Sequence, residues 1–161
     1  LGDVYKRQGR IRFRDIIEVI SFPIQMEIKG GHKMIGKTRV MLYAEDVEKI
    51  SQFFVEKLGA TVSETVELPE EFHSVIVAIS SEFELGIFPK VFVQRFSPEV
   101  LGTSPSILFF TDRFEEIYEQ MENPGEIMDN NGVLTFNFSD PEGNYFVIGQ
   151  MERKEEENES N

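Results

Sequence analysis

Site chemistry needs nucleophiles, proton carriers or metal ligands at workable spacing, and this chain offers few. It has no cysteine and only two histidines, His32 and His73, which rules out a thiolate nucleophile, a disulfide and a Cys-based metal site. No Gly-rich phosphate loop and no His to complete a Ser triad stand out along the chain. His73 follows Glu70 and Glu71 in a polar stretch and reads as a solvated side chain rather than a ligand. Glu84, in the alternating run FELGIF, has two readings: a carboxylate reaching an interior cavity, or a solvated edge carboxylate. Asp140 and Glu142 stand in FSDPEGNYFVIGQ, residues 138–150. There Pro presets φ while Gly and Asn accept unusual backbone angles, so both acids are expected to shape a strand–turn–strand hairpin.

The elements that would position these residues follow from periodicity. Arg39 to Ala44 is a strand run. Asp46 is an N-cap candidate for a helix whose apolar positions Val47, Ile50, Phe54 and Leu58 fall at helical spacing before Gly59 stops it. Strand candidates follow at Thr61 to Glu67, Ser74 to Ile79 and Phe83 to Phe88, so the first half reads βαβββ. Sliding the chain by 67 positions lays VMLYAEDVEKISQFF over ILFFTDRFEEIYEQM without a gap, matching Val47 to Phe114, Ile50 to Ile117 and Phe54 to Met121. Strand candidates at Gly125 to Met128, Val133 to Ser139 and Tyr145 to Gln150 complete a second copy. Between the copies, PKVFVQRFSPEVLGTSPS reads as a helical turn or linker.

RVMLYAEDVEKISQFFVEKLGATV and FSDPEGNYFVIGQ at this separation resemble the vicinal oxygen chelate superfamily, over Thr38 to Gln150. That superfamily includes glyoxalase I, bleomycin-resistance proteins, fosfomycin-resistance enzymes and extradiol dioxygenases. The resemblance implies an α+β fold of two βαβββ modules, about 38–88 and 105–150, forming a half-open barrel of mixed sheet around a ligand cavity, often in a dimer. It also implies metal ligands: a His, Gln or Glu on each module's first strand and a carboxylate on its last. Here those places hold Arg39 and Gly86 in the first module, Ser106 and Val147 in the second. None is a good ligand for a divalent ion, so no metal, cofactor or catalytic residue is expected.

Strand alternation places Arg39, Met41 and Tyr43 on one face and Ser106, Leu108 and Phe110 on its counterpart. With Glu84 and Asn137 these form the expected ligand-binding set, apolar and aromatic with a few polar points. Arg39 would anchor an anion or a carbonyl. The expected role is metal-independent binding or sequestration of a small organic molecule by a homodimer. Two alternatives stand beside it: a metal-dependent lyase, isomerase or dioxygenase with other ligands, and a structural or regulatory module whose cavity is filled.

A formal charge of −13 opposes binding to nucleic-acid phosphates and suits neutral or cationic small molecules. With no cysteine, no signal-peptide pattern and no long apolar run, the expectation is a cytoplasmic bacterial protein with no membrane partner. Residues 1–33 are expected to be a translated leader foreign to the natural protein. Asp3 to Gln8 back-translates onto a transposon-library adaptor, and Lys29 to Met34 onto a ribosome-binding site followed by a start codon. Residues 151–161, charged and almost free of apolar side chains, are expected to be a disordered tail.

Overall fold

The computed structural model describes residues 35, 37–102 and 105–151; the expected leader and, Met151 apart, the expected tail lie outside them. The chain divides into two compact units between Ser104 and Pro105.

In the first unit, β1 (Thr38–Ala44) leads into α1 (Val47–Leu58), then β2 (Thr61–Glu67), β3 (His73–Ala78), β4 (Phe83–Pro89) and α2 (Lys90–Phe96). The ends of α1 are set locally. Asp46 accepts a hydrogen bond from the Lys49 N–H at 3.0 Å, and Gly59 turns the chain at φ 66°, where a side chain would be strained. The strands lie in the order β1-β4-β3-β2, with β1 and β4 parallel and the other pairs antiparallel. Helix α1 packs on β3 and β4. Its Val47, Ile50 and Phe54 are buried, as are Leu42, Ala44, Val75, Val77, Leu85 and Ile87 on one face of the sheet. Each large side chain so buried contributes about 2 kcal/mol relative to exposure.

The second unit repeats this plan with β5 (Leu108–Thr111), α3 (Phe114–Gln120), β6 (Met128–Asn130), β7 (Val133–Ser139) and β8 (Tyr145–Gln150), in the order β5-β8-β7-β6. Phe114 of α3 meets Phe136 edge-on at 5.1 Å between ring centroids, and Phe146 contacts both Phe109 and Phe138. Each unit is thus a βαβββ module in an α+β fold. Helix α3 is shorter than α1, because Arg113 stands at its cap position without a capping side chain and Pro124 follows soon after.

Register confirms the repeat at the residue level. Met41 pairs with Gly86 and Leu108 with Val147, so the 67-residue shift that carries Met41 onto Leu108 makes Gly86 and Val147 equivalent.

One sequence expectation needs correction. The strand expected at Gly125 to Met128 lies at Met128–Asn130 instead, because Asn131 and Gly132, at φ 56° and 88°, form the hairpin turn that aligns Met128 with Thr135. Of the two readings of the stretch after β4, a helical turn or a linker, the helical one holds: it forms α2, whose Phe92 and Val93 are buried. Among the described residues no helix is long and apolar enough to cross a membrane.

Candidate functional site

On the face of the first sheet opposite α1, neighbouring strands bring Arg39 beside Glu84, Met41 beside Gly86 and Tyr43 beside Phe88. Glu84 is 1% exposed. One carboxylate oxygen, Oε1, accepts from Arg39 Nε and Nη2, both at 2.6 Å, while Oε2 takes Lys37 Nζ at 2.6 Å. Burial alone would raise the Glu84 carboxyl, but hydrogen bonds from Lys37 and Arg39, and then their charge, outweigh it and hold the group below its ordinary value. The solvated-edge reading of Glu84 is therefore overturned. Lys37, which the sequence reading missed, shares the strand alternation of Arg39 and was detectable by that signal.

The rest of this face is packed. Val66, Leu68, Ile76, Phe88, Phe92 and Val93 form one buried cluster, with Met41, Tyr43, Phe72 and Phe96 half-buried against it. Burial pushes the Tyr43 hydroxyl up from its ordinary pKa. Gly86 is closely overlaid, since a Cβ there would lie 3.0 Å from Met41 Sδ and 3.1 Å from the Phe88 ring.

The matching face of the second sheet is open. Leu108, Val147 and Asn137 lie in one cross-strand row, and Phe110, Gly149, Thr135 and Met128 in the next. Phe110 is 58% exposed, Met128 61% and Tyr145, on the same face as Val147, 68%. Gly149 lets the Phe110 ring lie on the strand, for a Cβ there would come within 2.9 Å of it. Asn137 is exposed, with its carbonyl accepting the Gly125 N–H at 2.8 Å and its side chain lying over Gly125. Ser106 is exposed just ahead of β5. Met128 and Tyr145 were not anticipated, although Tyr145 shares the parity of Val147.

The other acids serve structure. Asp140 is 3% exposed and accepts from the Glu142 and Asn144 N–H groups, both at 2.9 Å, and from Asn144 Nδ2 at 2.8 Å, which fixes the hairpin turn. His73 opens β3, partly exposed, with Nε2 beside a Glu48 oxygen. Among the described residues no three His, Asp or Glu side chains cluster so as to hold a metal ion. The residues at the implied metal position do not fit one: Gly86 is crowded by Met41 and Phe88, and the nearby carboxylate has both oxygens engaged by cations.

Residues 37–148 match the family described as Glyoxalase/Bleomycin resistance protein/Dioxygenase superfamily. Among solved structures, TnmS3, an antibiotic-binding protein from Streptomyces, aligns with a TM-score of 0.59 at 20% identity, covering 75% of this chain and 100% of that one. A glyoxalase family protein from Enterococcus faecalis gives 0.53 at 26% identity, covering 73% and 98%. The fosfomycin resistance protein FosX from Listeria monocytogenes gives 0.55 at 12% identity, covering 74% and 96%. No curated protein matches the sequence.

Proposed function

The chain belongs to the glyoxalase, bleomycin resistance protein and dioxygenase superfamily, and from that premise we propose that it binds a small organic molecule without a metal ion. The observation that carries this reading is the engagement of both Glu84 oxygens by Arg39 and Lys37. A divalent ion there would have to displace two cationic partners and then sit beside them. Unit like charges 4 Å apart repel by about 4 kcal/mol even at an effective dielectric of about 20.

The proposed recognition residues form two sets, one on each unit: Arg39, Met41, Tyr43 and Glu84 on the first, and Ser106, Leu108, Phe110 and Asn137 on the second. The second unit supplies exposed apolar and aromatic area with Ser106 and Asn137 as polar points, and Arg39, oriented by Glu84, supplies positive charge for a carbonyl or anionic group. The antibiotic-binding activity stated for TnmS3 supports this kind of role. A homodimer belongs to the same proposal and is checked by light scattering on the eluting protein.

The deciding experiment strips the protein with EDTA. Thermal shifts are then followed against nickel, zinc, manganese and ferrous ions and against a library of small organic molecules. The expected result is organic ligands that raise the melting temperature by a few degrees, survive chelation and weaken in Phe110→Ala. Stoichiometric metal binding that drops at least tenfold in an Arg39→Ala, Glu84→Ala double variant would overturn the metal-free reading.

A further inference from the structure

Both buried side-chain hydroxyls without a hydrogen-bond partner among the described residues, Ser74 Oγ and Ser97 Oγ, belong to the setting of helix α2. Ser97 ends that helix. Ser74 pairs with Val66 in the sheet and shares a face with Ile76, and Val66 and Ile76 belong with Phe92 and Val93 of α2 to one buried cluster. Strain gathers at the same place. The Pro69–Glu71 turn holds Glu70 and Glu71 at φ 60° and 64°, a region that disfavours side chains. Glu70 then reaches Arg95 of α2 at 2.5 Å in an exposed ion pair, and Phe72, directly after the turn, meets Phe92 edge-on at 5.6 Å. One orphaned hydroxyl thus ends the docked helix, the other stands on β3, the turn tied to the helix by Glu70 and Phe72 is strained, and the clasp is a solvent-screened pair of the kind that contributes little.

We infer that α2 is the internal occupant of a ring-binding slot on the first sheet, and that it yields the Phe92 position to a planar aromatic ligand bearing a hydroxyl or carbonyl group. Phe92 marks the shape of the slot: its flat apolar ring lies in one buried cluster with Val66, Leu68, Ile76 and Phe88 and meets the Phe72 and Phe96 rings. Ser74 supplies the hydrogen bond that no protein group supplies when α2 is docked. Local opening of a short helix with unmet polar groups is the physical route to such a site. This deepens the small-molecule reading and rests on it.

The test uses the full chain with 2-naphthol and, as the hydroxyl-free control, naphthalene. 2-Naphthol is expected to speed amide exchange across Phe92–Phe96 while slowing it in β1 and β3. Ser97→Ala is expected to raise the melting temperature yet weaken both probes at least threefold, because it favours the docked helix. Ser74→Ala is expected to weaken 2-naphthol about tenfold relative to naphthalene, the loss of one hydrogen bond. Slower exchange in α2 on ligand addition, or affinities indifferent to both serines, would overturn the slot while leaving small-molecule binding elsewhere intact. If 2-naphthol binds Phe92→Ala but not the wild type, the slot exists and is never yielded, which also overturns the inference. If no library compound stabilises any of these proteins, the small-molecule reading fails with it.

Discussion

Glu84 holds two cations on a buried strand face, so its charge state feeds directly into stability. Its carboxyl lies below the ordinary value of 4.5 in the folded protein. A depressed carboxyl contributes fully above its unfolded value, and the contribution disappears as pH falls through the folded one. Glu84→Gln is therefore expected to cost about 3 kcal/mol near neutral pH, because it leaves Arg39 and Lys37 facing a neutral amide. The gap from wild type should narrow below pH 4.5 in urea titrations; a gap independent of pH would contradict the assignment. Asp140 offers a contrast in role. It accepts three hydrogen bonds within its own turn, so Asp140→Ala is expected to lower stability by about 2 kcal/mol with no effect on ligand affinity, as measured by denaturation and binding in parallel. This role was legible because Asp140-Pro-Glu-Gly-Asn is a local signal. The role of Glu84 was not, since its partners come from another strand.

Helix α1 shows how far local signals reach at the scale of an element. Asp46→Ala removes a capping acceptor and Gly59→Ala forces a side chain into a left-handed turn, each at about 1 kcal/mol. The two residues cap opposite ends of the helix, so the double variant should lose close to the sum in urea denaturation. Interaction of more than about half a kcal/mol would show that the caps are coupled through the helix. The misplaced β6 has a similarly local cause. Asn131-Gly132 is a hairpin signal present in the chain, and giving it precedence over the apolar residues at Ile127 and Met128 puts the strand where it lies. Helix α2 was open to reading as a helical turn, but its packing was not, because seven residues between two modules carry no sign of which face they will cover.

For the whole molecule, a formal charge of −13 sets a long-range field that favours cationic ligands, while the Lys37–Glu84–Arg39 group adds a local net positive charge. These act at different ranges and separate with salt. The association rate of a cationic aromatic probe, followed by stopped flow, is expected to fall severalfold between about 0.01 M and about 0.15 M salt. A flat salt response would exclude steering. Residue type and the periods of 2 and 3.6 were enough for the doubled βαβββ plan, the caps of α1, the DPEGN hairpin and the faces of the residues in β1, β4, β5 and β8. Tertiary structure alone decided that the face carrying Met41 and Tyr43 is packed under α2 while the face carrying Leu108 and Phe110 stays open. It also decided that Glu84 is a buried, doubly paired ion. The repeat makes the two faces equivalent in pattern, and what covers a face depends on contacts between residues distant in the chain, which no local period encodes.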